Sequence, residues 1–201
     1  MRSATSDLTA RARIRDAALA RFGTDGIAGA SLRAIAADAG VSPALVVHHF
    51  GSKEGLRQAC DEHVLAAVEV DDDLDVTALA DLVAGATPVR RYLARALLDG
   101  TDSAAALFAR IVDRTEKWLA AGEEAGRVRP SGDARARAVV YVSWQFAPLL
   151  LGEHVGRLLG GDPAEADTAA RGARAGLEML TGGVFTDERW LTAFSALRTG
   201  R

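Results

Sequence analysis

Residues 31–50 have the sequence SLRAIAADAGVSPALVVHHF, and this pattern predicts two short helices joined by a tight turn. Ser31 is a favourable N-cap for the first helix, and Gly40 can adopt the left-handed conformation that ends it. Ser42 is a favourable N-cap for the second helix. Pro43 then takes the first helical position, where its missing N–H costs nothing. The segment therefore predicts a helix-turn-helix.

Apolar side chains on both short helices predict a fixed angle between them. The contacts would come from Ile35, Val41, Val46 and Phe50. A second helix held in this way projects from the rest of the chain and can enter a DNA major groove about 12 Å wide. The same pattern also fits a helical hairpin inside a bundle, so the motif leaves both interpretations open.

The rest of the chain also has apolar residues at three- and four-residue steps, which predicts an all-α fold. Gly23 and Gly26 are expected to end the first helix, and Pro148 is expected to kink a long one. Asp162 and Glu165 predict a capping box. Besides the two short helices, we expect helices near residues 8–22, 52–70, 75–84, 88–98, 102–121, 133–159, 163–180 and 187–198.

The charge is divided unevenly along the chain. The whole chain carries −3, which by itself disfavours a nucleic-acid partner. Residues 1–60, however, contain eight basic and five acidic residues, a net charge of +3, which leaves −6 on the remaining 141. The segment with the helix-turn-helix is therefore the part suited to phosphate, and Ser31, Ser42 and Lys53 are candidate donors to it.

Cysteine content, histidine spacing and the motifs present exclude several other classes of protein. Cys60 is the only cysteine, so a disulfide within the chain and cysteine-based zinc sites are impossible. His48 and His49 are adjacent and point to different helix faces, so we expect no metal site. We find no P-loop, dinucleotide fingerprint or nucleophile elbow, and we expect neither a cofactor nor an enzyme. The first residues lack a secretion signal and no apolar run spans a membrane, so we expect a cytoplasmic protein.

A longer motif surrounds the helix-turn-helix. Within residues 13–56 it includes Ile35-Ala36, Ala39-Gly40-Val41-Ser42, His49-Phe50 and Ser52-Lys53-Glu54-Gly55-Leu56. This combination resembles the DNA-binding domain of TetR-family transcriptional regulators. The resemblance implies an N-terminal three-helix DNA-binding domain, residues 1–51, and a larger helical ligand-binding and dimerisation domain, residues 52–201. It further implies a homodimer on a palindromic operator of double-stranded DNA.

The resemblance also implies which residues face DNA. Val47 departs from the family, which usually has a phosphate-binding tyrosine there, and valine cannot donate that hydrogen bond. The apolar run of Leu45, Val46 and Val47 therefore either contacts thymine methyl groups or packs internally, and specificity would then depend more on Arg33 and His48. The expected DNA-facing set is Ser31, Arg33, Ser42, Pro43, Ala44, Leu45, Val47 and His48, with Lys53 on phosphate.

The second domain contains most of the large aromatic side chains. Such residues line small-molecule pockets, but each of them also fits an ordinary core. Polar Gln145 inside an apolar run favours a ligand slightly, because a buried amide needs a partner. We expect a small apolar or aromatic effector among Tyr92, Phe108, Trp118, Tyr141, Trp144, Gln145 and Phe146.

Two late helices are expected to form a dimer interface. The helix near 133–159 is apolar on more than one face, which indicates burial against a second subunit as well as its own bundle. The helix near 163–180 has a face of small residues that permits close approach. The expected interface residues are Leu150, Leu158, Ala166, Ala169, Ala173, Gly176, Leu177 and Leu180.

These features together predict a ligand-responsive transcriptional repressor. The alternative is a helical small-molecule sensor or interaction protein without specific DNA binding, and Val47 is the residue that favours it most.

Overall fold

A computed structural model of the chain describes residues 2–67, 87–162 and 165–199, and it confirms the predicted all-α fold. Those ranges contain no strand, and none of their helices is both long and apolar enough to cross a membrane. In chain order the helices are α1 Arg2–Gly29, α2 Leu32–Asp38, α3 Pro43–Phe50, α4 Lys53–Ala67, α5 Thr87–Leu98, α6 Asp102–Glu124, α7 Ala134–Leu150, α8 Gly152–Leu159, α9 Ala166–Gly182 and α10 Arg189–Thr199.

The two short helices begin and end where the sequence predicts. The Ser31 hydroxyl accepts a hydrogen bond from the Ala34 amide at 3.1 Å, and the Ser42 hydroxyl accepts one from the Leu45 amide at 3.2 Å. Gly40 has φ +65, the left-handed conformation that the turn requires. Local capping therefore fixes the limits of α2 and α3.

The prediction that Gly23 ends the first helix is wrong. Helix α1 continues through Gly23, bends at Gly26, where φ is 72 and ψ 165, and ends at Gly29. The reason is a contact with α5: a Cβ on Gly23 would lie 3.1 Å from the Tyr92 amide nitrogen. Gly23 therefore permits two helices to pack closely, and Gly26 supplies the break.

The second half differs from the prediction at two helix ends. The expected single helix over 133–159 is two helices, α7 and α8, separated at Leu151, which lies three residues after Pro148. Proline lacks an N–H and crowds the carbonyl of Trp144 one turn before it, which weakens the last turn of α7 without ending the helix at Pro148 itself. Glu165, and not Asp162, is the N-cap residue of α9, and its side chain makes no capping hydrogen bond. The helix expected near 75–84 lies outside the described residues.

One hydrophobic core joins the head, residues 1–51, to the body that follows it. The core runs from Ile14 in α1 through α2–α5 to Phe146 in α7. At the junction, the rings of Phe22 and Tyr92 have centroids 6.2 Å apart. Both side chains are almost completely buried, so head and body share one packed interior.

A buried polar network lies beside this junction. The Tyr92 hydroxyl donates to Asp61 at 2.5 Å, and the Arg57 guanidinium donates to the other oxygen of the same carboxylate. Arg57 also bonds Glu54 with Nε at 3.0 Å. Burial raises the pKa of Asp61 and also that of Tyr92. Within this network the Tyr92–Asp61 hydrogen bond ties α5 to α4, and its loss would cost about 1.5–3 kcal/mol because the acceptor is a charged group.

The burial of Cys60 leads to a first prediction. Burial raises the pKa of its thiol to about 12. The thiol ionises near pH 8.5 in the unfolded chain. The contribution of Cys60 to the free energy of unfolding should therefore be fully present below pH 8.5 and be lost as the pH rises towards the pKa of the folded protein. At pH 8 we expect Ellman's reagent to label the native protein very slowly and the denatured protein at once. Rapid labelling of the native protein would contradict the burial described here.

Candidate nucleic-acid interface

The outward face of α3 presents a small set of side chains. Pro43, Ala44 and His48 are exposed, and Val47 is 48% exposed. Val46 is only 1% exposed and packs in the core. Val46 therefore packs α3 against the core, and the opposite side of this short helix is accessible to a partner.

Exposed polar side chains stand at the N-termini of α2 and α3. Ser31 and Ser42 are both exposed at their cap positions, and Arg33 is exposed in the first turn of α2. Each serine oxygen accepts from its own helix, so its hydroxyl hydrogen can still be donated to an anion. Leu45 is half-buried and lies between the core and the outward face.

Lys53 begins α4 and has an intramolecular contact. Its ammonium donates to the carbonyl of Ala28 at 3.1 Å, which links α4 to the end of α1. An ammonium has three hydrogens, so this bond leaves donors for a phosphate oxygen. Lys53 is therefore both a structural link and a candidate phosphate contact.

Arg13 holds the turn between the two short helices. Its guanidinium donates to the Ala39 carbonyl from Nε at 3.1 Å and from Nη2 at 2.5 Å, and to the Gly40 carbonyl at 3.2 Å. These carbonyls lie at the C-terminal end of α2, where backbone acceptors lack helical partners. The sequence predicts Arg13 only as one of the basic residues of the N-terminal segment, because no local pattern indicates a contact across 26 residues.

Two more arginines of α1 fasten the head. Arg21 forms a forked ion pair with Asp38 at 2.5 and 3.1 Å, and the Arg21 guanidinium holds the pKa of Asp38 below its ordinary value. Arg11 lies over the Phe50 ring, 5.2 Å from its centroid. We call Arg11, Arg13 and Arg21 the α1 clamp. The clamp fixes the end of α2, the turn and the end of α3 to one long helix.

The aromatic residues expected around an effector lie in different places. Tyr92 is at the junction of head and body, in contact with Asp61 and Phe22. Trp144 packs against α9, where a Cβ on Gly176 would lie 3.3 Å from the indole ring.

The remaining members of that set form two pairs between α6 and α7. Trp118 and Tyr141 have ring centroids 6.0 Å apart, and Phe108 and Phe146 have centroids 6.3 Å apart. The Gln145 amide donates to the Tyr141 hydroxyl at 3.0 Å, but Gln145 is exposed, so the expectation that this amide is buried is wrong. Two open depressions of about 360 and 330 Å³ occur on the described surface, and neither is lined by these aromatic residues.

The expected dimer residues divide into two groups. The leucines Leu150, Leu158, Leu177 and Leu180 are exposed, by 42%, 86%, 51% and 48% respectively. The small residues Ala169, Ala173 and Gly176 are half-buried on α9, where Gly176 lies against Trp144 of the same chain; Ala166 begins this helix.

Further large apolar side chains in the second half of the chain are exposed and were not predicted as interface residues. They are Leu151, Met179, Val184, Phe185, Trp190, Leu191 and Phe194.

In the described part of the chain, no three histidine, cysteine, aspartate or glutamate side chains come together as a metal-binding group.

Comparison with known proteins identifies relatives of both halves. Residues 14–60 match the family described as "Bacterial regulatory proteins, tetR family", and residues 85–186 match "Tetracyclin repressor-like, C-terminal domain". The HTH-type transcriptional regulatory protein RaaS of Mycobacterium tuberculosis is 47% identical over 146 residues, which cover 69% of this chain and 68% of RaaS. The HTH-type transcriptional regulator BetI of Rhizobium meliloti is 36% identical over 165 residues, covering 82% of this chain and 72% of BetI.

Solved structures share the fold at lower identity. A Rhodococcus sp. protein assigned to the TetR family of transcriptional regulators has a TM-score of 0.62 at 16% identity, covering 86% of this chain and 98% of that one. Salmonella enterica GusR has a TM-score of 0.58 at 21% identity, covering 87% of this chain and 95% of GusR.

The contacts of Arg13 lead to a second prediction. Replacing Arg13 with alanine removes the donors to the Ala39 and Gly40 carbonyls, so we expect faster amide hydrogen exchange at residues 39–42 and a loss of about 1–2 kcal/mol in the free energy of unfolding. Arg15→Ala is the matched control, because it removes the same charge from α1 but only an ion pair to neighbouring Asp16. Equal exchange at the turn in the two variants would contradict the clamp.

Proposed function

This chain belongs to the TetR family of transcriptional regulators, and from that premise we propose that it is a repressor released from a palindromic operator by a small effector. Family membership makes it a DNA-binding regulator and not an enzyme. The observation that carries the proposal is the outward face of α3, which is exposed on a helix fixed by the α1 clamp. A rigid, exposed helix is the form in which proteins contact base edges in the major groove.

The charge distribution supports an orientation on DNA. Residues 1–60, which comprise the head and the start of α4, carry a net +3 and the remaining residues −6, so phosphate attracts this N-terminal segment and repels the rest of the chain. The candidate phosphate-binding groups are the exposed side chains of Ser31, Arg33 and Ser42, together with the half-buried Lys53. These residues would hold the phosphates while α3 contacts the bases.

A homodimer explains how two heads reach one operator. A two-fold dimer presents the same helix twice, and successive major grooves are about 34–36 Å apart, so the matching DNA is a palindrome. The exposed leucines Leu177 and Leu180 on α9 support an interface with a second copy, since apolar side chains gathered on one face commonly mark a protein contact.

The effector response would pass through the junction of head and body. We expect a small apolar or aromatic effector near the Trp118–Tyr141 pair, where Gln145 supplies a polar group. A shift of α5 would be carried to α4 by the Tyr92–Asp61 hydrogen bond and to α1 by the packing of Tyr92 on Phe22. By linkage, effector and operator then weaken each other's binding equally. The cytoplasm, where bacterial DNA lies, is the expected location.

A third prediction concerns phosphate contact. Lys53→Ala should weaken binding to every DNA sequence and lower the slope of log affinity against log salt by about one unit. The control is Lys117→Ala, which removes the same charge from an exposed position on α6. The measurement is fluorescence anisotropy with a duplex from upstream of the protein's own gene. An unchanged slope would remove Lys53 from the phosphate contacts, and no specific binding by the native protein would favour the sensor without DNA binding.

A fourth prediction concerns the dimer. The native protein should sediment at twice the mass of one chain at micromolar concentration, and Leu177→Glu should produce monomers because it buries a charge in the proposed interface. Leu98→Glu is the control, since Leu98 is 68% exposed on α5, outside the proposed interface. A native monomer in analytical ultracentrifugation would contradict the proposed interface.

A further inference from the structure

Helix α3 has an unusual composition for a helix that contacts bases. Between Pro43 and Phe50 it contains no arginine, lysine, asparagine, glutamine, aspartate or glutamate. Those side chains make the bidentate hydrogen bonds by which proteins distinguish guanine, adenine and cytosine in the major groove. On the outward face of α3, only the His48 ring can hydrogen-bond a base edge. Most of the selectivity of this helix must therefore come from another kind of contact.

The structure separates the apolar residues of α3 by role. Val46 is buried in the core and Leu45 is half-buried, whereas Val47 is 48% exposed. Pro43 and Ala44 lie four and three residues before Val47, which places all three on one side of the helix. We call Pro43, Ala44 and Val47 the apolar patch. The patch faces outward while the core is already filled from the other side.

The major groove offers such a patch one apolar group in unmodified DNA, the 5-methyl group of thymine. A G·C pair facing the patch would lose water from its polar edges and gain no hydrogen bond in return, which is unfavourable. A T·A pair would bury its methyl group against the side chains of Ala44 and Val47. The patch therefore favours a T·A pair over a G·C pair, because it buries the thymine methyl group and offers no hydrogen-bonding partner to the G·C pair.

We propose that the apolar patch selects operators by contact with thymine 5-methyl groups, a specificity that rests on the proposed DNA-binding function. Arg33, exposed on α2, and His48, at the edge of the patch, supply the polar contacts on either side. Val47 has no hydroxyl group and cannot donate a hydrogen bond to a phosphate, so its part in this proposal is the apolar contact with a base. The selected half-sites contain thymine opposite the patch on one strand or the other.

The test removes the methyl groups without changing base pairing. A preferred duplex is first selected by the full-length protein from a random library, and it is then synthesised with thymidine or with deoxyuridine. We expect the native protein to bind the uracil duplex more weakly by about fourfold for each contacted methyl group, and more than tenfold for a symmetric pair. Affinities are measured by fluorescence anisotropy at one salt concentration.

Three variants separate the patch from effects of uracil on DNA shape. Val47→Ala should reduce the ratio of thymine to uracil affinity, because the variant loses the methyl contact in the thymine duplex, and the uracil duplex has no methyl group to contact. Val47→Tyr should reduce the same ratio while it adds a phosphate donor. Lys53→Ala should weaken binding to both duplexes and leave the ratio as in the native protein.

The outcomes distinguish this inference from the function on which it rests. A ratio near one for a native protein that binds its selected duplex specifically would overturn thymine recognition and leave the repressor proposal intact. A ratio that persists in Val47→Ala would also overturn the role of the patch. Failure to select any duplex would overturn the proposed function itself.

Discussion

The contact between α1 and α5 at Gly23 is the constraint on which the arrangement of head and body depends. Because a Cβ there would lie 3.1 Å from the Tyr92 amide nitrogen, the two helices pack at a distance that only glycine permits without adjustment. The close approach brings Phe22 onto Tyr92 and makes the core continuous across the two regions. The direction of α3 is consequently set by the whole protein, because α1 both packs on α5 and holds the turn through Arg13.

The buried network at the same junction restricts the position of α5 relative to α4. Apolar side chains can slide past one another at small cost, but the carboxylate of Asp61 is satisfied only while Arg57 and Tyr92 keep their positions. A relative shift of α4 and α5 would take the Tyr92 hydroxyl from the buried Asp61 carboxylate, although Arg57, on the same helix as Asp61, would stay paired with it. The joint therefore favours distinct positions over a continuous range, as the proposed release from the operator would require.

The sequence was most informative where structure is determined locally. Ser31, Gly40 and Ser42 act on neighbouring backbone groups, so their positions alone predicted the limits of α2 and α3. Gly23 was misinterpreted because a glycine that ends a helix and a glycine that admits another helix look identical in one sequence. The contacts of Arg13 were missed because they join residues far apart in the chain.

In the candidate site, too, the sequence predicted what local spacing determines and missed what depends on distant contacts. The outward positions of Ala44 and His48 follow from helical spacing, as does the exposure of Val47. Spacing alone could not decide which of the adjacent apolar residues packs, and only the core around Val46 did so. The aromatic set was predicted from composition, which carries no information on whether two rings meet. Tyr92 accordingly lies at the junction of head and body and not with the other aromatic residues.

The α1 clamp has a consequence for the kinetics of DNA association. Arg11 bonds an aromatic ring and Arg13 bonds carbonyl oxygens, so neither is neutralised by a carboxylate in these contacts. Their positive charges still act over a Debye length of about 8 Å and draw the head towards DNA, although their side chains are turned to the protein. They raise the rate of encounter, while the lifetime of the complex depends on the side chains that touch the duplex. One set of arginines thus stiffens the helix-turn-helix and guides its approach.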